Sequence, residues 1–263
     1  MMWNSKPGSF LAIAALVACC AVLPAARAQS ADAGRKMLSP AKACPRIANP
    51  DALRALAQDC AKDLAHDANC RAFAKDANEG YVIVRDCSPK KPDAYLMIPV
   101  KPVTGIEDAQ VLSAPLADLW EDAWRWSRKY PGEAAARTGL AVNSKNARSQ
   151  NQLHIHISCV LPKVSEALES GNIPPYPAKP VALVLGPEKT VYEAVKVTGL
   201  AGENSPFRVI QSFPGVAGDM KDQSIAVIGS QKVAEYYVLN TTAGSAGRGH
   251  AEELLEQTCA PAR

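Results

Sequence analysis

From Gln152 to Cys159 the chain alternates without a break. Gln152, His154, His156 and Ser158 are polar, while Leu153, Ile155, Ile157 and Cys159 are apolar. A period of two is the pattern of a β-strand, whose side chains point to opposite faces in turn. Read so, the segment buries its odd-numbered face and presents two imidazoles, an amide and a hydroxyl on the other. His154 and His156 then stand about 6–7 Å apart, at about 3.3 Å per residue along the strand. The chain has 4 histidines, and two of them are here.

The other segments supply a frame for this strand. Pro50 to Asp63 reads as a helix, with Leu53, Leu56 and Leu64 at helical spacing. Tyr81 to Arg85 and Tyr95 to Pro99 are strand-like and flank a polar turn, which predicts a hairpin. Ser113 opens a second helix with Pro115 in its first turn, and Leu116, Leu119, Trp120, Ala123 and Trp124 form its apolar stripe. Trp126 falls off the stripe, so the three tryptophans are either packing residues or a patch for lipid or base. Gly139 to Val142 is extended, and Pro162 opens a short helix that stops by Gly171. Beyond a proline-rich connector (Pro174 to Pro180), five runs read as strands: 181–185, 192–197, 207–210, 224–228 and 236–239. A final helix spans His250 to Thr258. Strands joined by short turns, with few helices between them, predict an α+β fold with an antiparallel sheet.

The first 28 residues stand apart. Lys6 precedes an apolar stretch from Phe10 to Leu23, followed by Ala26-Arg27-Ala28. A charged start, an apolar middle and a small-x-small end make an export signal. Two other readings stay open: a retained anchor over Phe10 to Ala26, or a lipoprotein box at Leu16 to Cys19. Each places the bulk of the chain outside the cytoplasm. Removing residues 1–28 subtracts Lys6 and Arg27, so the net charge goes from +3 to +3 − 2 = +1. A chain so near neutrality is poorly suited to binding nucleic acid. Cysteine use agrees with export. Cys44, Cys60, Cys70, Cys87, Cys159 and Cys259 form an even set without metal-knuckle spacing. Cys60 with Cys70 would clip a helical hairpin, and Cys159 with Cys259 would tie the chain's end to the histidine strand. The alternative for Cys159 is a buried free thiol.

An exposed His-x-His has two common chemistries. Neutral imidazoles bind metals, and a ring nitrogen can attack phosphorus and become phosphorylated. A metal needs a third protein ligand, and no acid lies between Glu133 and Glu166. Phosphate needs cations and hydrogen-bond donors, and Asn143, Ser144, Lys145, Arg148, Ser149, Asn151 and Gln152 supply both. A structural histidine pair is the third possibility. His66 and His250 are read as non-catalytic, and Lys101 as solvated.

Gln152-Leu-His154-Ile-His156-Ile-Ser158 resembles the histidine-triad signature, His-φ-His-φ-His-φ-φ, with glutamine in the first histidine's place. The wider stretch from Leu140 to Cys159 resembles bacterial CDP-diacylglycerol pyrophosphatases. So do the strands at Tyr81 and Tyr95, the Trp-rich helix and the cysteines at 60, 70, 159 and 259. The resemblance implies a HIT-like antiparallel sheet with flanking helices over residues 29–175. Residues 176–263 would add a β-rich part packed on the same domain. It implies hydrolysis of CDP-diacylglycerol to CMP and phosphatidate in phospholipid metabolism, without metal or organic cofactor; the N-terminal segment, cleaved or retained as an anchor, puts this on the periplasmic side of the inner membrane. His154 would be the nucleophile and His156 would hold phosphate oxygens. Gln152, Asn143, Arg148, Ser149 and Asn151 would bind the substrate phosphates. An amide at position 152 donates and accepts but cannot titrate. Two rivals stay open: a metal-dependent hydrolase using His154 and His156, and an exported lipid- or nucleotide-binding module without turnover.

Overall fold

The computed structural model describes residues 49–74, 80–128, 137–216, 220–244 and 248–259. The export segment (1–28) and Cys44 lie outside them. Among the described residues the strands are β1 (Cys70–Ala74), β2 (Tyr81–Arg85), β3 (Tyr95–Pro99), β4 (Thr138–Val142), β5 (Ile155–Cys159), β6 (Val181–Leu185), β7 (Thr190–Val197), β8 (Gln223–Gly229) and β9 (Tyr236–Thr242). They form one sheet in the order β1-β2-β3-β5-β4-β8-β9-β7-β6. Every neighbouring pair is antiparallel. The helices are α1 (Ala52–Lys62), α2 (Leu119–Ser127), α3 (Pro162–Ser170) and α4 (Pro206–Gln211). The fold is therefore α+β, and residues beyond 176 extend the same sheet through the β4–β8 pairing.

The two faces of the sheet are built differently. On one, Ile83, Met97, Leu140, Ile155, Ile157, Ile225, Val227 and Val238 join Trp120, Trp124 and Phe207 in a continuous apolar core. Removing a side chain such as Phe207 from water contributes about 1.5–3 kcal/mol. Trp120 and Trp124 belong to this core, and half-buried Trp126 donates its indole N–H to the Tyr81 hydroxyl at 3.0 Å. The tryptophans are thus packing residues. The opposite face carries two separate cores. Val82, Val84, Leu96 and Ile98 pack under α1. Ala141, Ala226, Ile228 and Leu239 pack under Leu254, Leu255 and α3. Between these two cores runs β5. His156 pairs with Leu96 on one side and with Ala141 on the other, so all three share this face.

Several expectations change. The histidine strand is buried on both faces, not half-buried, because residues from 248 to 259 cover its even side. Cys60 does bond Cys70, but Cys70 opens β1, so the bridge joins a helix to a strand. The second helix begins at Leu119, after tight turns at 109–112 and 116–118, because extended Ser113 (φ −109°, ψ 145°) interrupts it. Residues 207–210 are helical: Pro206 occupies the first helical position, and a short apolar run fits either period. The final helix shrinks to a turn at Ala251–Leu254. Leu255 instead bridges Val160, and Cys259 is bonded to Cys159. Long-range pairing overrides the local helical preference there. Among the described residues, no helix is long and apolar enough to cross a membrane.

Candidate active site

His154 precedes β5 and is 9% exposed; His156 lies within the strand at 8%. Their rings meet edge-on, with centroids 4.8 Å apart and planes at 69°. The Nδ1 atom of His154 lies 2.8 Å from the carbonyl oxygen of Gln152. A carbonyl oxygen only accepts, so Nδ1 carries the proton and Nε2 keeps its lone pair. Burial is the main cause that lowers the His154 pKa, with a smaller push from the Arg148 charge, so the ring is neutral near pH 7.

His156 has a different backing. Its Nδ1 lies 3.3 Å from Oε1 of Glu252, and its Nε2 lies 3.5 Å from the amide nitrogen of Asn143. Glu252 comes from the turn at Ala251–Leu254, and Asn143 follows β4. Asn143 donates from Nδ2 to Oε2 of Glu252 at 3.1 Å, and its Oδ1 accepts the Glu252 backbone N–H at 3.1 Å. These bonds fix the amide's orientation, so Nδ2 can only donate towards His156. Its Nε2 is the acceptor, and Nδ1 bears the proton that faces Glu252. Lys91 pairs with the same carboxylate, and Nε2 of His250 lies 3.5 Å from its Oε2. Burial alone would raise the Glu252 carboxyl. His156, His250 and Lys91 outweigh burial and hold it below the usual carboxylate range. Burial lowers His156 to about 3, against the pull of Glu252. Both imidazoles are therefore neutral and Glu252 is the anion. Burial raises the carboxyl of nearby Asp86, which accepts a hydrogen bond from the Ser88 amide at 2.8 Å.

The C-terminal segment is held to the sheet at several points. Ser158 donates to the Glu256 carbonyl at 2.9 Å, Tyr192 donates to Glu253 at 2.8 Å, and the Leu161 amide donates to the Leu254 carbonyl at 2.9 Å. The Ser144 amide donates to the Gly249 carbonyl at 3.1 Å. A side chain at Gly249 (φ +62°) would place its Cβ 2.6 Å from Ser144 Oγ, so only glycine lets the segment lie this close. A cleft of about 330 Å³ opens here, with Lys91, His156, Ser158, Pro187, His250 and Glu252 in its lining. Its lining includes His156 and not His154.

The remaining residues expected at the site fall into two groups. Gln152 is fully buried, and its described side-chain hydrogen bonds run to groups other than the His154 ring. It donates to the carbonyls of Pro99 at 2.8 Å and Lys101 at 3.0 Å, and accepts from Arg54 at 3.3 Å and the Val103 amide at 3.4 Å. Arg148 is held bidentate by Glu107, at 2.8 and 2.5 Å, with its side chain 4% exposed. Ser149 and Asn151 are exposed on the loop that leads to β5. Asn151 has its backbone tied to α1: its amide donates to Pro50 and its carbonyl accepts from Arg54.

Glu252, Lys91, Asp86 and Arg54 carry no local signal in the sequence, since each lies on a turn, loop or helix that only the tertiary fold brings to this face. His250, read from sequence as lying apart, sits on Glu252. Its being one of only four histidines was the sole hint. Asp86, His156 and Glu252 each bring a ligand atom within 4.8 Å of the others, a spacing that could suit a cation. The Lys91 ammonium already neutralises Glu252 there, so we do not read this trio as a metal centre.

Residues 48–263 match the CDP-diacylglycerol pyrophosphatase family. A CDP-diacylglycerol pyrophosphatase of Yersinia pestis is 30% identical over 231 residues, covering 81% of this chain and 86% of that protein. A probable CDP-diacylglycerol pyrophosphatase of Mycobacterium leprae is 32% identical over 179 residues, covering 65% of this chain and 66% of that protein. Among solved structures, yeast Ap4A phosphorylase Apa2 is 13% identical, covering 73% of this chain and 65% of its own, with a TM-score of 0.43.

Proposed function

The chain belongs to the CDP-diacylglycerol pyrophosphatase family, and we propose that it hydrolyses CDP-diacylglycerol to CMP and phosphatidate through a nucleotidyl-histidine intermediate. One observation carries the choice of nucleophile: the Gln152 carbonyl holds the Nδ1 proton of His154, which leaves Nε2 bare in a ring kept neutral by burial. In the first step Nε2 attacks the phosphorus that bears cytidine. The bond from that phosphorus to the bridging oxygen breaks, and its electron pair leaves with phosphatidate. In the second step water releases CMP and returns the electron pair to Nε2.

Arg148 and Lys91 are fixed cations near the two rings, each paired with a carboxylate, Glu107 and Glu252, from which a substrate phosphate would have to draw them. Ser149 and Asn151 stay available as loop donors to phosphate oxygens. Asn143 holds His156 through its side-chain amide and Gln152 holds His154 through its backbone carbonyl, while both side chains are bonded to other protein partners. The export signal, the two described bridges and a disulfide-bonded Cys87 support work in an oxidising compartment. We place it on the periplasmic side of the inner membrane, acting in phospholipid metabolism.

Rapid quench with cytidine-labelled substrate tests the proposal. Label should appear on His154 in an acid-labile, base-stable bond, and folded His154→Ala should be inactive. Activity should survive dialysis against chelator. Loss of activity that a divalent cation restores would favour the metal-dependent reading instead.

A further inference from the structure

The two imidazoles share a tautomer but not a partner. Each carries its proton on Nδ1 and a lone pair on Nε2. The partner of His154 is a neutral carbonyl, whereas that of His156 is the carboxylate of Glu252. This difference divides the work. A neutral carbonyl stabilises a charged ring less than a carboxylate does, so of the two rings His154 is the less well placed to take up a proton. A ring backed by a carboxylate is stabilised when it becomes imidazolium, the arrangement that lets a His–carboxylate pair act as a general base.

We infer that His156 is the general base of the second step and that Glu252 is its positioning residue. The inference rests on the nucleotidyl-histidine reading. Water attacks the phosphorus of nucleotidyl-His154. The new O–P bond forms as the P–Nε2 bond breaks, and its electron pair returns to His154. The water proton passes to Nε2 of His156, while Nδ1–H stays on Glu252. The proton leaves His156 for solvent with CMP.

Three observations support it besides the contact itself. The only described hydrogen-bond partner of His156 Nε2 is the Asn143 amide at 3.5 Å, long enough for water to displace. His156 and Glu252 both line the cleft, so water can reach them. Glu252 is held at its backbone and its carboxylate by Asn143, and by Lys91 and His250, which fixes it independently of His156. The charged or titratable groups around the pair are Lys91 and Asp86 from the β2–β3 side, His154 from the strand's start, and His250 from the C-terminal segment.

The experiment compares label formation and label decay in wild-type and Glu252→Gln enzyme. The amide keeps the shape and loses the charge. Formation should stay within about threefold, and decay should slow by about 10²–10⁴. Labelled His154 would then accumulate in the steady state. His156→Ala should slow decay likewise, and decay in the double variant should be no slower than in either alone. In wild type, decay but not formation should slow in D2O, a measurement that holds even if a variant fails to fold. Normal decay in a folded Glu252→Gln enzyme, or slowed formation without accumulation, would overturn the inference. A wild type that traps no label would instead sink the nucleotidyl-histidine reading beneath it.

Discussion

Asn143 and Glu252 grip each other at both ends, 109 residues apart in sequence: the Glu252 backbone N–H donates to Oδ1, and Nδ2 donates to the carboxylate, each at 3.1 Å. Asn143→Ala removes both bonds and leaves the buried carboxylate short of a donor. Stability should fall by about 1–3 kcal/mol, and kcat more than KM should suffer. Asn143→Asp should be worse than alanine, because it sets a second carboxylate against Glu252. Urea melts and steady-state kinetics on both variants check this; an aspartate variant as active as wild type would contradict it.

Gln152 stands where the triad pattern has histidine, and its amide serves four protein groups. A neutral imidazole has one donor and one acceptor and cannot replace it. Gln152→His should therefore destabilise the fold by about 1–3 kcal/mol and lower turnover. A more active or more stable variant would show that the glutamine is merely a substitute for the missing histidine.

Arg148 and Gly105 form a test of packing around a buried ion pair. A Cβ at Gly105 would lie 2.5 Å from the Arg148 guanidinium carbon. Gly105→Ala should lower the Tm, and in Arg148→Ala the same change should cost less, since only the Glu107 carboxylate, 2.7 Å from that Cβ, then remains in its way. Arg148→Ala alone strands the Glu107 carboxylate and should cost about 3–5 kcal/mol. Additive effects in this double-mutant cycle would separate the two residues.

Acid should weaken the fold through the histidine pair. Unfolded imidazoles protonate near 6.5, whereas burial keeps folded His154 and His156 (about 3) from doing so. Below 6.5 the unfolded chain thus binds more protons, and stability falls as pH drops, by up to about 1.4 kcal/mol per pH unit for each suppressed proton. Above 6.5 the pair contributes no slope. Glu252 acts in the same direction below 4.5, where unfolded carboxylates protonate. Unfolding free energies at pH 7, 6 and 5 should show a shallower slope in His156→Gln; equal slopes would refute the assignment.

The two described disulfides differ in what they hold. Cys60–Cys70 closes 10 residues around α1, while Cys159–Cys259 spans 100 and ties the segment carrying Glu252 to β5. Each contributes about 2–4 kcal/mol, more for the longer loop. Cys259→Ser should reduce kcat beyond its effect on stability, and Cys60→Ser should reduce stability alone. Comparable kcat losses in both would mean that the long bridge has no special bearing on the site.

Much of this was legible from local pattern. The alternation at 152–159 marks the strand, the hairpin at 81–99 follows from its turn, and both described bridges agree with the expected cysteine pairs. What was not legible depends on pairing between distant segments. Periodicity cannot reveal that β5 is covered on both faces, because the cover arrives about 100 residues later. Nor can it reveal that Arg148 is claimed by Glu107, or that Glu252 and His250 belong beside His156. The run at 207–210 shows a narrower limit: four apolar residues do not distinguish a helix turn from a strand.

Both imidazoles are translated well before the residues that complete their surroundings. A chain released before Gly249 would carry both rings without Glu252, so the proposed second step has to wait until the tail has folded back and been tied to β5 by the Cys159–Cys259 bridge.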